Sequence, residues 1–475
     1  MKRIVTLLMV LVMILCALSA CGNDVGEKDK ATDAPSKSTT APADSTPEET
    51  EPSKTEPGET EPSKTEPSET EPSETEPSET EPTGNPNAID DYEVVIDSFR
   101  LVKDYKGRDS VAIKYLFTNV SGDEDDCFAY SLDTLVFQNG VSLPSTYCTE
   151  VDTESDTADV APGTSIEVEI AYLLSSATAD LEVEVREFYD ATGQVIKKTF
   201  TISDTPNQDV LPEYPPLDSA NNVDDYNVVI DSFRLGKNSM GKDLVYVKYL
   251  FTNLSETTPA MFRYDITNRA FQNGISLEQS YEGAAYGEDP ADKYIQPGVT
   301  LEVEIGFELS SLTADVYIDV RAGYAGDKVN KVFTISDTPN QDVLPEYPPL
   351  DSANNVGDYN VVIDSIRLHH DTSGEDIVII KYLFTNVSGE DPANFLYDTV
   401  YNVYQNGQEL EQAYFLDDEA NYSNENLNKD ILAGTTLEIE VAYELTNTTD
   451  DIQVEVYEGF SFDDIKLTKT FPPNP

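Results

Sequence analysis

One stretch of sequence is written three times in this chain, at a period of about 133 residues, so whatever one copy folds into, the molecule contains in triplicate. Asp91–Arg100, DYEVVIDSFR, returns as Asp225–Arg234 and again as Asp358–Arg367. Phe200–Val223 recurs letter for letter as Phe333–Val356. An array of one module works by reach, avidity or display more readily than through a single catalytic centre.

Each copy reads as β throughout. Glu93–Leu101 alternates, with Val94 and Ile96 on one side and Val95 on the other. In Val111–Asn119, echoed at Val245–Asn253 and Val378–Asn386, Ile113, Tyr115 and Phe117 share a face and Lys114 takes the opposite one. Asn139-Gly140, Asn273-Gly274 and Asn406-Gly407 lie between apolar runs. Both residue types tolerate positive φ, which is what a type I′ hairpin turn needs. Pro162-Gly163 and Pro297-Gly298 signal type II turns. Beyond them Ile166, Val168, Ile170 and Tyr172 alternate with Glu167 and Glu169, Leu181–Val185 repeats the habit, and Lys198–Ile202 closes the copy. Seven or so short strands with one wet face each predict an all-β chain of three tandem immunoglobulin-like antiparallel β-sandwich modules. The chain has no Trp, which excludes an antibody-type core. The expected organisation is a signal peptide over 1–20, a tether over 21–88, modules over 89–203, 225–336 and 358–475, and Pro-containing linkers over 204–224 and 337–357.

Lys2 and Arg3 precede an apolar run, Ile4–Ala17, too short for a comfortable membrane span. It ends in Leu18-Ser19-Ala20-Cys21, which resembles a bacterial lipobox; the resemblance implies cleavage before Cys21 and acylation of its sulfur. The protein is then expected to be anchored by lipid on the outer face of the bacterial cell membrane. From Asn23 to about Asn87 the sequence is mostly Glu, Pro, Ser, Thr and Lys, which has little to bury and reads as disordered. Its ~65 residues at ~3.1 Å each would reach up to ~200 Å, enough for a tether through a thick wall; a glycosylated stalk is the alternative. A net charge of −60 argues against nucleic acid and anionic polymers as ligands.

Asp104-Tyr105-Lys106-Gly107, Phe117-Thr118-Asn119, Phe137-Gln138-Asn139-Gly140, Pro162-Gly163-Thr164 and Ala171-Tyr172-Leu173 form a series. It resembles the domain of unknown function 5067 family, a module of Gram-positive surface lipoproteins. The resemblance covers all three copies and implies an immunoglobulin-like sandwich. Its motifs are turn and strand motifs that carry fold and almost no function. The second copy has Asn238-Ser-Met-Gly241 in place of the first turn, and the third has Ala433-Gly434 in place of Pro-Gly.

Few residues are left for chemistry. Cys127 and Cys148 occur only in the first copy, where an oxidising compartment favours a disulfide; two free buried thiols are the alternative. His369 and His370 are the only histidines, adjacent and poorly placed to share a metal. The sequence therefore points to no metal, no cofactor and no catalytic residues. The acidic run Asp123–Asp126 reads as a solvated loop with calcium as the sharper reading. The remaining candidates are tyrosines in the middle segments: Tyr130, Tyr147, Tyr264, Tyr281, Tyr397 and Tyr414, with Tyr286 and Tyr422. They serve either as core or corner packing or as a binding surface. The expected function is non-catalytic binding of an extracellular protein or other surface component. A glycan scaffold through the loop tyrosines, or a structural spacer, is the alternative.

Overall fold

The computed structural model describes residues 85–475 except 122–123, 189–192, 282–286, 324–325, 390, 415–421, 460–464 and 473–475; the expected signal peptide, Cys21 and nearly all of the tether lie outside the described residues. The copies form three β-sandwiches. In the first, one sheet carries Ala88–Ile89, Tyr92–Lys103, Asp109–Asn119 and Ser165–Leu173, in that order. The other carries Val141–Ser142, Leu132–Gln138, Leu181–Glu187 and Ile196–Phe200. All pairings are antiparallel. The closing strand is thus Ile196–Phe200, two residues earlier than its alternation suggested.

The alternation decides what is inside. Val94, Ile96, Ile113, Tyr115, Phe117, Val168, Val183 and Val185 meet in one core, and the other copies build the same core from matching positions. Lys114, Lys248 and Lys381 stand on the wet face, paired across the sheet with Glu167, Glu302 and Glu438. The Asn-Gly turns have positive φ at both residues in every copy, as a type I′ hairpin requires. The Ala433-Gly434 turn keeps the left-handed glycine of its two Pro-Gly counterparts.

Short 3-10 turns interrupt the second copy at Pro290–Asp292 and the third at Glu425–Asn428. Every copy also carries a one-turn helix at a matching position, Phe128–Ser131, Phe262–Asp265 and Phe395–Asp398. Its first residue is the cause. Phe128 packs its ring 5.2 Å from Tyr115 and edge-on to Phe117 at 5.6 Å, and the chain coils once to place it there. Phe262 and Phe395 repeat the arrangement.

The modules are joined by more than linkers. The strand after the first hairpin, Val141–Ser142, pairs with Tyr294–Ile295 of the second module, so the sheet runs on across the junction. Ile275 pairs with Ile431 of the third module in the same way. At each seat a serine hydroxyl accepts a backbone N–H of the next module: Ser142 from Tyr294 at 2.8 Å and Ser276 from Asp430 at 2.9 Å. The hairpin glycine accepts another, Gly140 from Gln296 and Gly274 from Leu432. A Cβ at Gly140 would collide with Val299 and one at Gly274 with Thr435, whereas Gly407, at the free hairpin of the third module, faces open space. The identical linkers do identical work. Asn207 and Asp209 hold Asn139, and Asn340 and Asp342 hold Asn273, at the turn of the module each linker leaves.

Candidate binding surface

The six candidate tyrosines fall into two sets at matching positions. Tyr130, Tyr264 and Tyr397 are the third residues of the one-turn helices. Two residues on from an inward phenylalanine is the opposite side of a helix, so burying Phe128, Phe262 and Phe395 turns these tyrosines outward. Tyr147, Tyr281 and Tyr414 each stand nine residues after the Gln of the hairpin strand. All six are exposed, from 54% for Tyr147 to 85% for Tyr264, so the packing alternative does not hold for them. Tyr286 lies outside the described residues, and Tyr422 packs partly buried against Ile377, Ile379 and Ala442.

The two sets approach one another in the second module. Arg263, next to Tyr264, lies 5.3 Å from the ring centre of Tyr281. It is fixed there by Asp289 at 2.9 Å and by Asp292. Beside this group opens a cleft of about 550 Å³ between the first and second modules. Met261, Tyr264 and Tyr294 form one wall, and Leu132, Leu135 and Phe188 the other. Burial, reinforced by Asp133 and Asp265, pushes the Tyr294 hydroxyl up to about 12, so it stays a neutral donor at ordinary pH. An apolar cleft with a fixed guanidinium and phenol hydroxyls at its rim is suited to an amphipathic segment of a partner.

The corresponding place at the second junction has no such character. There Arg269 occupies the position of Leu135 and Asp430 that of Tyr294, and the two form an ion pair at 3.3 Å.

The expected disulfide is not formed: Cys127 and Cys148 are both free and buried. Cys127 caps the one-turn helix that carries Phe128 into the core, whereas Cys148 packs with Val102, Ala112, Val151 and Ala171. Ala112 is flanked by Val111 and Ile113 of the core, so that cluster lies on the outer side of the sheet. Burial pushes the Cys148 thiol up, which makes it a poor nucleophile. His370 sits at the end of its strand, 3.0 Å from Asp376. Among the described residues no group of three His, Cys, Asp or Glu could hold a metal ion. Of the acidic run, Asp123 lies outside the described residues, the Glu124 carbonyl accepts from Asn119, and Asp126 accepts from Tyr92 and Ser131.

The family profile described as Domain of unknown function (DUF5067) matches the sequence three times, at residues 67–187, 218–322 and 351–458. The chain belongs to the DUF5067 family. Two solved structures are similar only distantly. One is titled "Marsupial T cell receptor", 12% identical over 80% of this chain and 99% of that one, with a TM-score of 0.16. The other is titled "Biofilm associated protein - BSP domain", 9% identical over 83% and 68%, with a TM-score of 0.14. No curated protein sequence matches the chain.

Two residues in the DUF5067 motifs are hubs. Asn119, fully buried at the end of Phe-Thr-Asn, donates to the carbonyls of Glu124 and Val160 and accepts from the Ser121 amide, and Asn253 and Asn386 do the same. Gln138 of Phe-Gln-Asn-Gly donates to the carbonyls of Ser176 and Ala179 and accepts from two serine amides, with Gln272 and Gln405 as counterparts. A third device is Lys198, which donates to the carbonyls of Ile96 and Asp97 at the β-bulge of the opening strand. Lys331 and Lys469 repeat it. The motifs of this DUF5067 chain are thus occupied in holding loops to strands.

Proposed function

We propose that the chain is a non-catalytic display protein that binds a protein or other surface component through its exposed tyrosines, with the cleft beside Tyr264 as its principal contact. The observation that carries this is the threefold exposure of large amphipathic rings at two matching positions, including all three phenylalanine-anchored turns. Tyr and Arg supply rigid contact area at small entropic cost, and Arg263 is already held in place by two carboxylates. A catalytic role is disfavoured by the side chains themselves. The two histidines are adjacent, Cys127 and Cys148 are buried, and the motif amides are committed to backbone groups. The lipobox-like Leu18–Cys21 supports a position on the outer face of a bacterial cell membrane through a lipid on Cys21. Loss of membrane retention in a Cys21→Ser chain would test that placement.

The deciding experiment is a binding screen of the folded unit Thr80–Pro475 on extracellular-protein and glycan arrays, with and without calcium. A protein ligand lost on Tyr264→Ala supports the proposal. A glycan ligand lost on Tyr281→Ala or Tyr414→Ala replaces it with the carbohydrate-scaffold reading. Silence on both arrays leaves the chain a spacer.

A further inference from the structure

The junctions are head-to-tail. One module gives a hairpin edge, and the next receives it on a short ladder, Ala260–Met261 with Tyr294–Ile295 or Ala393–Asn394 with Asp430–Ile431. Such an interface does not close on itself, so a chain joined this way has a free giving edge at one end and a free receiving edge at the other. Unless something prevents it, the third module of one molecule would seat on the first module of the next.

Both free edges differ from the internal ones at the residues that do the seating. The internal giving edges read Val141-Ser142 and Ile275-Ser276; the free one reads Gln408-Glu409, and both residues are exposed. Glu409 replaces the serine whose hydroxyl accepts the incoming amide. Arg269 and Arg321, which reach across the second junction to Asp430 and Asp391, become Asn402 and Tyr457 in the third module. On the free receiving side, the ladder of the first module shrinks to a single bridge, Asp126 with Val160. Around that bridge stand Glu124, Asp125, Asp126 and Asp159. Asp159 matches Asp430 and Glu124 matches Asp391, the acidic residues that the second junction neutralises with arginine.

We infer that the array is closed at both ends against further copies of the chain. Glu409 on the free hairpin and the acidic edge around Asp126 and Asp159 reject the seating that joins the modules internally. Charging an exposed strand edge is an established way to keep it unpaired. Here seating would put carboxylates against carboxylates with no arginine between them. Glu124, Asp125 and Asp126 thereby acquire a role distinct from metal binding.

Two measurements on Thr80–Pro475 test this. Light scattering up to about 1 mM, the effective concentration a short linker supplies inside the chain, is expected to give one mass throughout. A mass that grows with concentration, and stops growing when Gly407→Val obstructs the free hairpin, overturns the proposal. The second measurement moves the terminal residues inward: Ile275→Gln, Ser276→Glu and Arg321→Tyr give the second module three of the third module's edge residues and leave Arg269 in place. Hydrogen exchange at the Leu432 amide, which donates to Gly274, is expected to rise at least about tenfold, with the strand amides of both modules unchanged. Protection at Leu432 equal to that of the parent overturns the proposal. If loss of Arg321 unsettles its own module through Asp319, the double substitution Ile275→Gln with Ser276→Glu carries the same expectation.

Discussion

The two junctions share a backbone and differ in chemistry. At the first, Leu135 and Tyr294 leave an open apolar cleft, and Arg108 with Glu288 is an ion pair across the boundary at 3.0 Å. At the second, ion pairs cross at Arg269–Asp430, Arg321–Asp391, Lys328–Asp391 and Lys429–Glu278. The strand pairing and the serine seat supply the geometry in both places, which leaves the flanking side chains free to diverge. One junction has become a surface with a ligand-sized opening, and the other a clasp.

The glycine of each hairpin offers the sharpest way to break this comparison. All three have positive φ, so alanine costs about 1–2 kcal/mol of backbone strain at any of them. Only at Gly140 and Gly274 does the new methyl also meet the next module, an overpacking that adds about 1–3 kcal/mol. Gly140→Ala is expected to open the first junction alone and Gly274→Ala the second alone, each visible as a larger radius in solution scattering. Gly407→Ala should lower thermal stability slightly and leave the shape unchanged.

Arg321→Ala should loosen only the second junction, whereas Arg186→Ala, at the matching position of the first module, should destabilise its own module without opening the first. Arg186 pairs at 2.7 Å with Glu184 of its own module, and the position matching Asp391 is Thr258. Arg321→Ala strands the buried Asp319 carboxylate whereas Glu184 keeps Lys197 at 2.7 Å, so thermal melting reports the module and not the junction; exchange at the Leu432 and Gln296 amides reports the junctions.

Acid should act on the second junction. Arg321 holds the Asp391 carboxyl below its ordinary 3.8, and Lys429 holds Glu278 below 4.5. Lowered carboxyl values mean that the stability they contribute is present above about pH 4.5 and is lost as pH falls through the lowered values. Protection of the Leu432 amide, relative to its intrinsic exchange rate at each pH, is therefore expected to fall as pH drops through those lowered values. The smallest effect is that of salt. These pairs are partly exposed and worth under about 1 kcal/mol each, so raising salt from about 0.05 M to 0.5 M should speed exchange at Leu432 modestly and more than at Gln296.

The sandwich was legible because most strands keep one wet face, as Ser165–Leu173 and its counterparts do. Glu167 and Glu169 announce the register of Ile166, Val168 and Ile170, and Asn-Gly names the turn. The one-turn helices were not legible. Phe128-Ala-Tyr130 is too short to show a helical period, and its coil is imposed by Tyr115 and Phe117 from a distant strand. The exposed tyrosines were found as a set, but not their cleft, because the pairing of Val141 with Ile295 joins residues of different copies and has no local signature. The cysteine pair misled for the opposite reason. Their joint presence in one copy was real, but nearness in sequence did not reveal that Cys148 packs in a cluster on the outer side of its sheet.

The linkers have one more consequence. Each is tied back to the hairpin of the module it leaves, through Asn207 with Asn139 or Asn340 with Asn273, and that hairpin is seated on the module that follows. A pulling force along the chain must therefore first shear a small, laterally loaded set of hydrogen bonds. Only then does each linker of about 20 residues straighten toward its full contour of ~65 Å, at ~3.3 Å per residue, before either sandwich bears the load. The two junctions act as mechanical fuses in series, giving the molecule a reserve of length under strain that it does not display at rest.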